Sequence, residues 1–170
     1  IYYGDVCLNY DKVYFQENDV PIPQSLADLT RPEYEGLLVV ENPASSSPGL
    51  AFLLATIGTL GENGYLDFWA DLRENDVLVV DGWSTAYYSE FSGAAGSEGA
   101  RPLVVSYATS PAAEVYFSEE VLTEAPTGAI TAPGTCFRQI EFSGILKSTE
   151  NLELAQAFME FLLSEPFQSD

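Results

Sequence analysis

The chain has 170 residues, enough for one domain with its own core, and 46% apolar content sets it apart from disordered chains. Six Lys+Arg against 26 Asp+Glu leave a net charge of −20, which repels nucleic acid and anionic lipid and tolerates cations. With no His, Ser-His-Asp and Cys-His catalysis within the chain are excluded, and the commonest metal ligand is missing.

Residues 2–10 read as a strand, with Asp5 and Asn9 interrupting aromatic and β-branched residues. In "VPIPQSLADLTRPEYEG", prolines punctuate a short helix that starts near Ser25, a capping residue type. "GLLVVENP" is an apolar run stopped by Asn42-Pro43, the pattern of a buried parallel strand. "ASSSPGL" leads into an apolar helix over 49–60, short of the ~20 residues that cross a bilayer. "GENG" breaks it, and "YLDFWADLREN" is a second helix with Leu66, Phe68, Trp69 and Leu72 on roughly one face. "DVLVVDG" is another buried strand, and "WSTAYYSEF" begins a helix. "SGAAGSEGARP" is a loop by composition. "PLVVSYATSP" is a third buried strand, "AAEVYFSEEV" a short helix, and "TEAPTGAITAPGT" irregular. "CFRQIEFSGIL" alternates as a strand. "KSTENLELAQAFMEFLLSEPFQ" is a helix capped by Ser148 or Thr149, with Glu150 and Glu153 at its positive end and a stripe of Leu154, Phe158, Phe161 and Leu162.

Strand–helix alternation predicts an α/β class with a mixed, mostly parallel sheet flanked by helices. Ligands of such sheets gather beyond the carboxyl ends of the strands. Three loops meet that condition: "ENPASSSPG" (41–49), "DGWSTAYY" (81–88) and "SYATSPA" (106–112). The first offers serines and Gly49 at a helix N-terminus, where backbone N–H groups suit an anion; plain helix capping needs only one of those serines. In the others, Trp83, Tyr87, Tyr88 and Tyr107 offer faces for a planar or cationic ring, at ~0.5–2 kcal/mol per cation–π contact, or else pack in the core. Tyr87-Tyr88 also reads as a ferric phenolate pair. Glu41, Asp81 and Glu141 are the carboxylates for a hydrolytic acid/base pair, although in so acidic a chain some fall there by chance. Cys7 and Cys136 read as a disulfide closing a long loop or as two separate buried thiols; an isolated pair in an acidic, His-free chain favours an oxidising compartment. The chain opens already strand-like, without a charged leader, as expected of a piece of a longer protein.

The segments "NPASSSPGLAFLL", "GWSTAYYSEF" and "VVSYATSPAAEVYF", followed by "FRQIEFSGILKSTENLELAQAFMEFLLSEPFQ", resemble the periplasmic thiamine-binding proteins of ABC importers. The resemblance runs from about Tyr3 to the C-terminus. It implies a type II periplasmic-binding-protein lobe, with ligand held in a cleft between two lobes. Residues 11–135 would be the second lobe, 1–10 and 136–146 hinge strands, and 147–170 a returning helix of the first. Cys7 and Cys136 would then lie on neighbouring strands and form a disulfide. Ser46, Ser47 and Gly49 match the loop that meets the phosphate or hydroxyethyl end of the ligand. Trp83 matches the tryptophan beside the thiazolium, with Tyr87 in the same wall, and Tyr107 and Ser110 match residues around the pyrimidine. Ala113 stands where the family can offer a tyrosine, and "SGAAGSEGARP" is an insertion. The chain would hold half a site, outside the cytoplasm, with thiamine or its phosphates and a membrane permease as partners and no cofactor, catalysis or nucleic acid.

Overall fold

A computed structural model describes residues 1–169. Six strands form one sheet: β1 (Tyr2–Asp11), β2 (Leu38–Glu41), β3 (Leu78–Val80), β4 (Leu103–Tyr107), β5 (Thr127–Ile130) and β6 (Phe137–Glu141). Their order is β3-β2-β4-β1-β5, with β6 also pairing β1. The chain divides into two compact units, Gly4–Arg138 and Ile1–Tyr3 with the segment from Gln139 onward.

In the larger unit, β2 pairs parallel with β3 and β4, while β1 pairs antiparallel with β4 and β5. The sheet is mixed, as expected, but parallel pairing is confined to β3-β2-β4. Parallel neighbours need a crossover connection, which α2 (Ser47–Glu74) supplies between β2 and β3. Leu38, Val40, Leu103 and Val105 face one core with Phe52, Phe68 and Leu72. Val39 and Val104 face the other with Ala86, Tyr87 and Phe91. Burial on both faces is why these strands read as unbroken apolar runs.

The helix α2 (Ser47–Glu74) turns at Gly61, whose φ of 74° is open to glycine, so the expected break near "GENG" is present. Its halves are clasped by the Trp69 indole N–H, which donates to Thr56 Oγ1 at 3.0 Å, and by an edge-on Phe52–Trp69 contact. Ser25 caps a 3₁₀ turn over Leu26–Thr30 rather than an α-helix, the prolines on either side leaving no room for a longer one. Two elements escape the sequence reading. Asp11 caps α1 (Lys12–Glu17), and β5 lies in the segment read as irregular; its four residues, buried only at the two ends and interrupted by Gly128, show no alternation to read.

The smaller unit carries α5 (Leu152–Leu162) and α6 (Glu165–Gln168). The expected single helix from 147 instead starts at Leu152. Thr149 Oγ1 accepts the Asn151 N–H in a turn rather than capping the helix, and Ser164 with Pro166 starts a separate turn. Of the stripe, Leu162 is buried, while Leu154, Phe158 and Phe161 are exposed. Among the described residues no helix is long and apolar enough to cross a membrane.

Cys7 on β1 and Cys136 just before β6 are disulfide-bonded, 129 residues apart in sequence. Beside them, Arg138 forks onto both carboxylate oxygens of Asp5 at 2.9 Å. Closing so long a loop restricts the unfolded chain by about 4–5 kcal/mol. Replacing both cysteines with serine is expected to lower unfolding stability by that order in urea titrations, and reduction of the unaltered protein to do the same.

Candidate functional site

The parallel strands β2, β3 and β4 bring their carboxyl ends to one edge of the sheet. At the end of β4, Ser106 is a fully buried hydroxyl in a Leu-Val-Val strand. It accepts the Trp83 indole N–H at 2.9 Å and lies 2.8 Å from the Ser110 hydroxyl. Ser110 Oγ also accepts the Tyr107 N–H at 3.3 Å, and Asn9 Nδ2 donates to the Tyr107 carbonyl at 3.0 Å. One buried hydroxyl thus ties the β3 loop, the end of β4 and the start of α4 (Ser110–Tyr116) together.

Trp83 opens the short helical turn α3 (Trp83–Thr85), which widens at once: the Phe91 N–H reaches back to the Ala86 carbonyl, one residue further than in an α-helix. The turn stacks its rings. Tyr87 lies against Trp83 with centroids 5.1 Å apart and planes at 21°, and Phe91 packs on Tyr87 at 5.4 Å. Tyr88 meets Trp83 edge-on at 5.4 Å, and Tyr107 lies 6.2 Å away. These offset and edge-on contacts are the favoured aromatic geometries.

These rings, with Ser110, Ala113 and Glu114 of α4, line a cavity of about 270 Å³. That is slightly below the ~300–1,000 Å³ of small-molecule pockets. The structure therefore brings together Trp83, Tyr87, Tyr107 and Ser110. Tyr87 is 2% exposed and serves as the floor under Trp83 rather than as an open face. Burial first, and the nearby Glu114 carboxylate second, push the Tyr87 phenol above its usual range.

Ser46, Ser47 and Gly49 do not line the cavity. Ser46 caps α2, its hydroxyl accepting the Gly49 N–H at 3.5 Å, and Ser47 is exposed. Gly49 has a structural reason of its own. A Cβ there would lie 2.4 Å from the Glu41 carbonyl oxygen, so only glycine lets α2 start directly over the end of β2.

Sequence reading missed Glu114 and Phe117, which line the cavity from α4. The Glu114 signal was its place one turn beyond Ser110 on a helix rising from the strand end. The expected carboxylate pair is not assembled. Glu41 is 1% exposed with neither oxygen hydrogen-bonded, and Asp81 is exposed, accepting from Asn42 Nδ2 at 3.4 Å. Glu141 belongs to the smaller unit.

The chain matches the model of the bacterial extracellular solute-binding proteins over residues 1–170. It is 30% identical over 167 residues to the thiamine-binding periplasmic protein of Escherichia coli (strain K12), covering 98% of this chain and 46% of that protein. It is 27% identical over 169 residues to the protein so named in Brucella abortus, covering 96% of this chain and 47% of that one. A solved structure titled "Periplasmic thiamin binding protein" superposes with a TM-score of 0.79 at 28% identity, covering 98% of this chain and 48% of that one. The chain spans about half the length of the curated relatives it matches.

Burial raises the Glu41 carboxyl from its ordinary 4.5 to about 8. The folded chain then holds a proton that the unfolded chain releases, so stability is full below pH ~4.5 and falls as pH rises toward ~8. Glu41→Gln, with the same shape and no charge to suppress, is expected to raise stability by about 3 kcal/mol at pH 7 and by little at pH 4.5. Urea titrations of both proteins across that range measure it.

Proposed function

The chain belongs to the bacterial extracellular solute-binding protein family, and on that premise we propose that it is the ligand-capturing lobe of an ABC importer's binding protein for thiamine or a thiamine phosphate. Its mixed sheet flanked by helices is the type II periplasmic-binding-protein fold, and the family is one of binding proteins rather than enzymes. In this reading residues 11–135 form the second lobe of a two-lobed protein. Residues 1–10 and 136–146 are its hinge strands, and 147–170 belong to the other lobe. The ligand is enclosed when the lobes close, and the loaded protein docks on a membrane permease. The disulfide between Cys7 and Cys136 suits work in an oxidising compartment.

The observation that carries the reading is the half-buried Trp83, fixed by Ser106 and backed by Tyr87, at the rim of an aromatic cavity in an acidic chain. A tryptophan face held in one orientation attracts a cationic ring such as thiazolium without having to be ordered first. Tyr107 and Ser110 stand where the pyrimidine would rest. Ser46, Ser47 and Gly49, at the start of α2, would receive the hydroxyethyl or phosphate end through backbone N–H groups. Tyr87 is buried and stacked against the Trp83 ring, a packing role that speaks against the ferric alternative at Tyr87-Tyr88.

Calorimetry of the full-length protein with thiamine and its mono- and diphosphates tests this. Trp83→Ala is expected to weaken the preferred ligand by roughly 30-fold or more, the scale of a buried aromatic contact. Unchanged affinity removes Trp83 from the site, and no affinity of the unaltered protein for any of the three removes the reading.

A further inference from the structure

Glu114 is the one charged side chain among the residues that line the cavity. Around it stand Trp83, Tyr87, Tyr88 and Phe117, none of which carries a charge. One carboxylate oxygen is fixed, accepting the Ala95 N–H at 3.1 Å. That bond comes from the "SGAAGSEGARP" loop, so this loop holds the carboxylate at the cavity wall. Beneath it, the Tyr87 hydroxyl is buried without a hydrogen-bond partner of ordinary geometry. Aromatic faces attract a cation through their quadrupoles, and a carboxylate in the same wall adds a full opposite charge where solvent is partly excluded.

Resting on the reading of a thiamine-type ligand, we propose that Glu114 is a specificity-determining residue, the counter-ion that selects a positively charged ring over a neutral ring of the same shape. The six Lys+Arg of the chain place no cation in the cavity wall to neutralise it, so the charge is left for the ligand. The 92–102 loop gains a role by the same contact: the Ala95 N–H orients the carboxylate.

Glu114→Gln keeps the shape and keeps an oxygen to accept the Ala95 N–H, so it removes charge while leaving the tether. Calorimetry of the full-length protein compares thiamine with its thiophene isostere, in which the ring carries no charge. The unaltered protein is expected to prefer thiamine, and Glu114→Gln to weaken thiamine roughly tenfold while the neutral isostere binds as before. Retained isostere binding also reports that the variant is folded. Equal loss of both ligands means that Glu114 acts on their shared pyrimidine or only on the loop, and overturns the inference, as does unchanged binding of both. If the unaltered protein binds no thiamine, the functional reading fails and takes this inference with it.

Discussion

A hydroxyl cannot be buried without a hydrogen bond at small cost, and Ser106 is the place where that constraint organises the molecule. It is the polar interruption in β4, a strand otherwise filled with Leu and Val, and has no access to water. Its partners are the Trp83 indole and the Ser110 hydroxyl, one from the loop after β3 and one from the first turn of α4. Satisfying a single oxygen therefore fixes the orientation of a large aromatic face and the start of the helix that carries Ala113 and Glu114. The widened turn after Trp83 does the rest, sliding Tyr87 beneath the indole and burying Phe91 beneath Tyr87.

The same edge of the sheet holds a second buried polar group with a different resolution. Glu41 ends β2, and the start of α2 closes over its backbone at Gly49. Continuing the β2–β4 register from Val39 and Val104 sets Glu41 beside Ser106. Burial outweighs every other influence on its carboxyl and raises it to about 8, which favours the neutral acid near neutral pH. The two residues illustrate how buried polarity is handled at this edge of the sheet: one group is satisfied by partners and positions them, the other is pushed toward its neutral form. The acidic surface is a separate matter, a field that favours the approach of cations without choosing among them.

Much of this was legible in the primary structure, for identifiable reasons. The buried strands announced themselves because both faces of the sheet are covered, and the loops after them gathered at one edge because β2, β3 and β4 run parallel. Trp83 and Tyr107 were legible as wall residues through that placement, and Ser110 through the likeness of its segment to a known family. The likeness of their segments to thiamine-binding proteins, itself a property of sequence, supplied the proposed ligand. What stayed hidden depends on contacts between segments distant in sequence. β5 forms only because β1 offers it an edge. The close approach of Gly49 to Glu41 has no local signature. Glu114 passed for one of many acidic residues, since only the fold turns its helix toward the cavity. The apolar stripe of α5 was read correctly as a pattern, but most of it is exposed, a reminder that a stripe reports a surface to be covered and not what covers it.

A crystal structure of the full-length protein with thiamine bound is the most direct measurement of the Ser106-anchored wall. The expected result is the thiazolium ring within about 4 Å of the Trp83 face, with the indole N–H still on Ser106 and Tyr87 still behind it. A ligand seated away from Trp83, or an indole swung off Ser106 to make room for it, would contradict that arrangement.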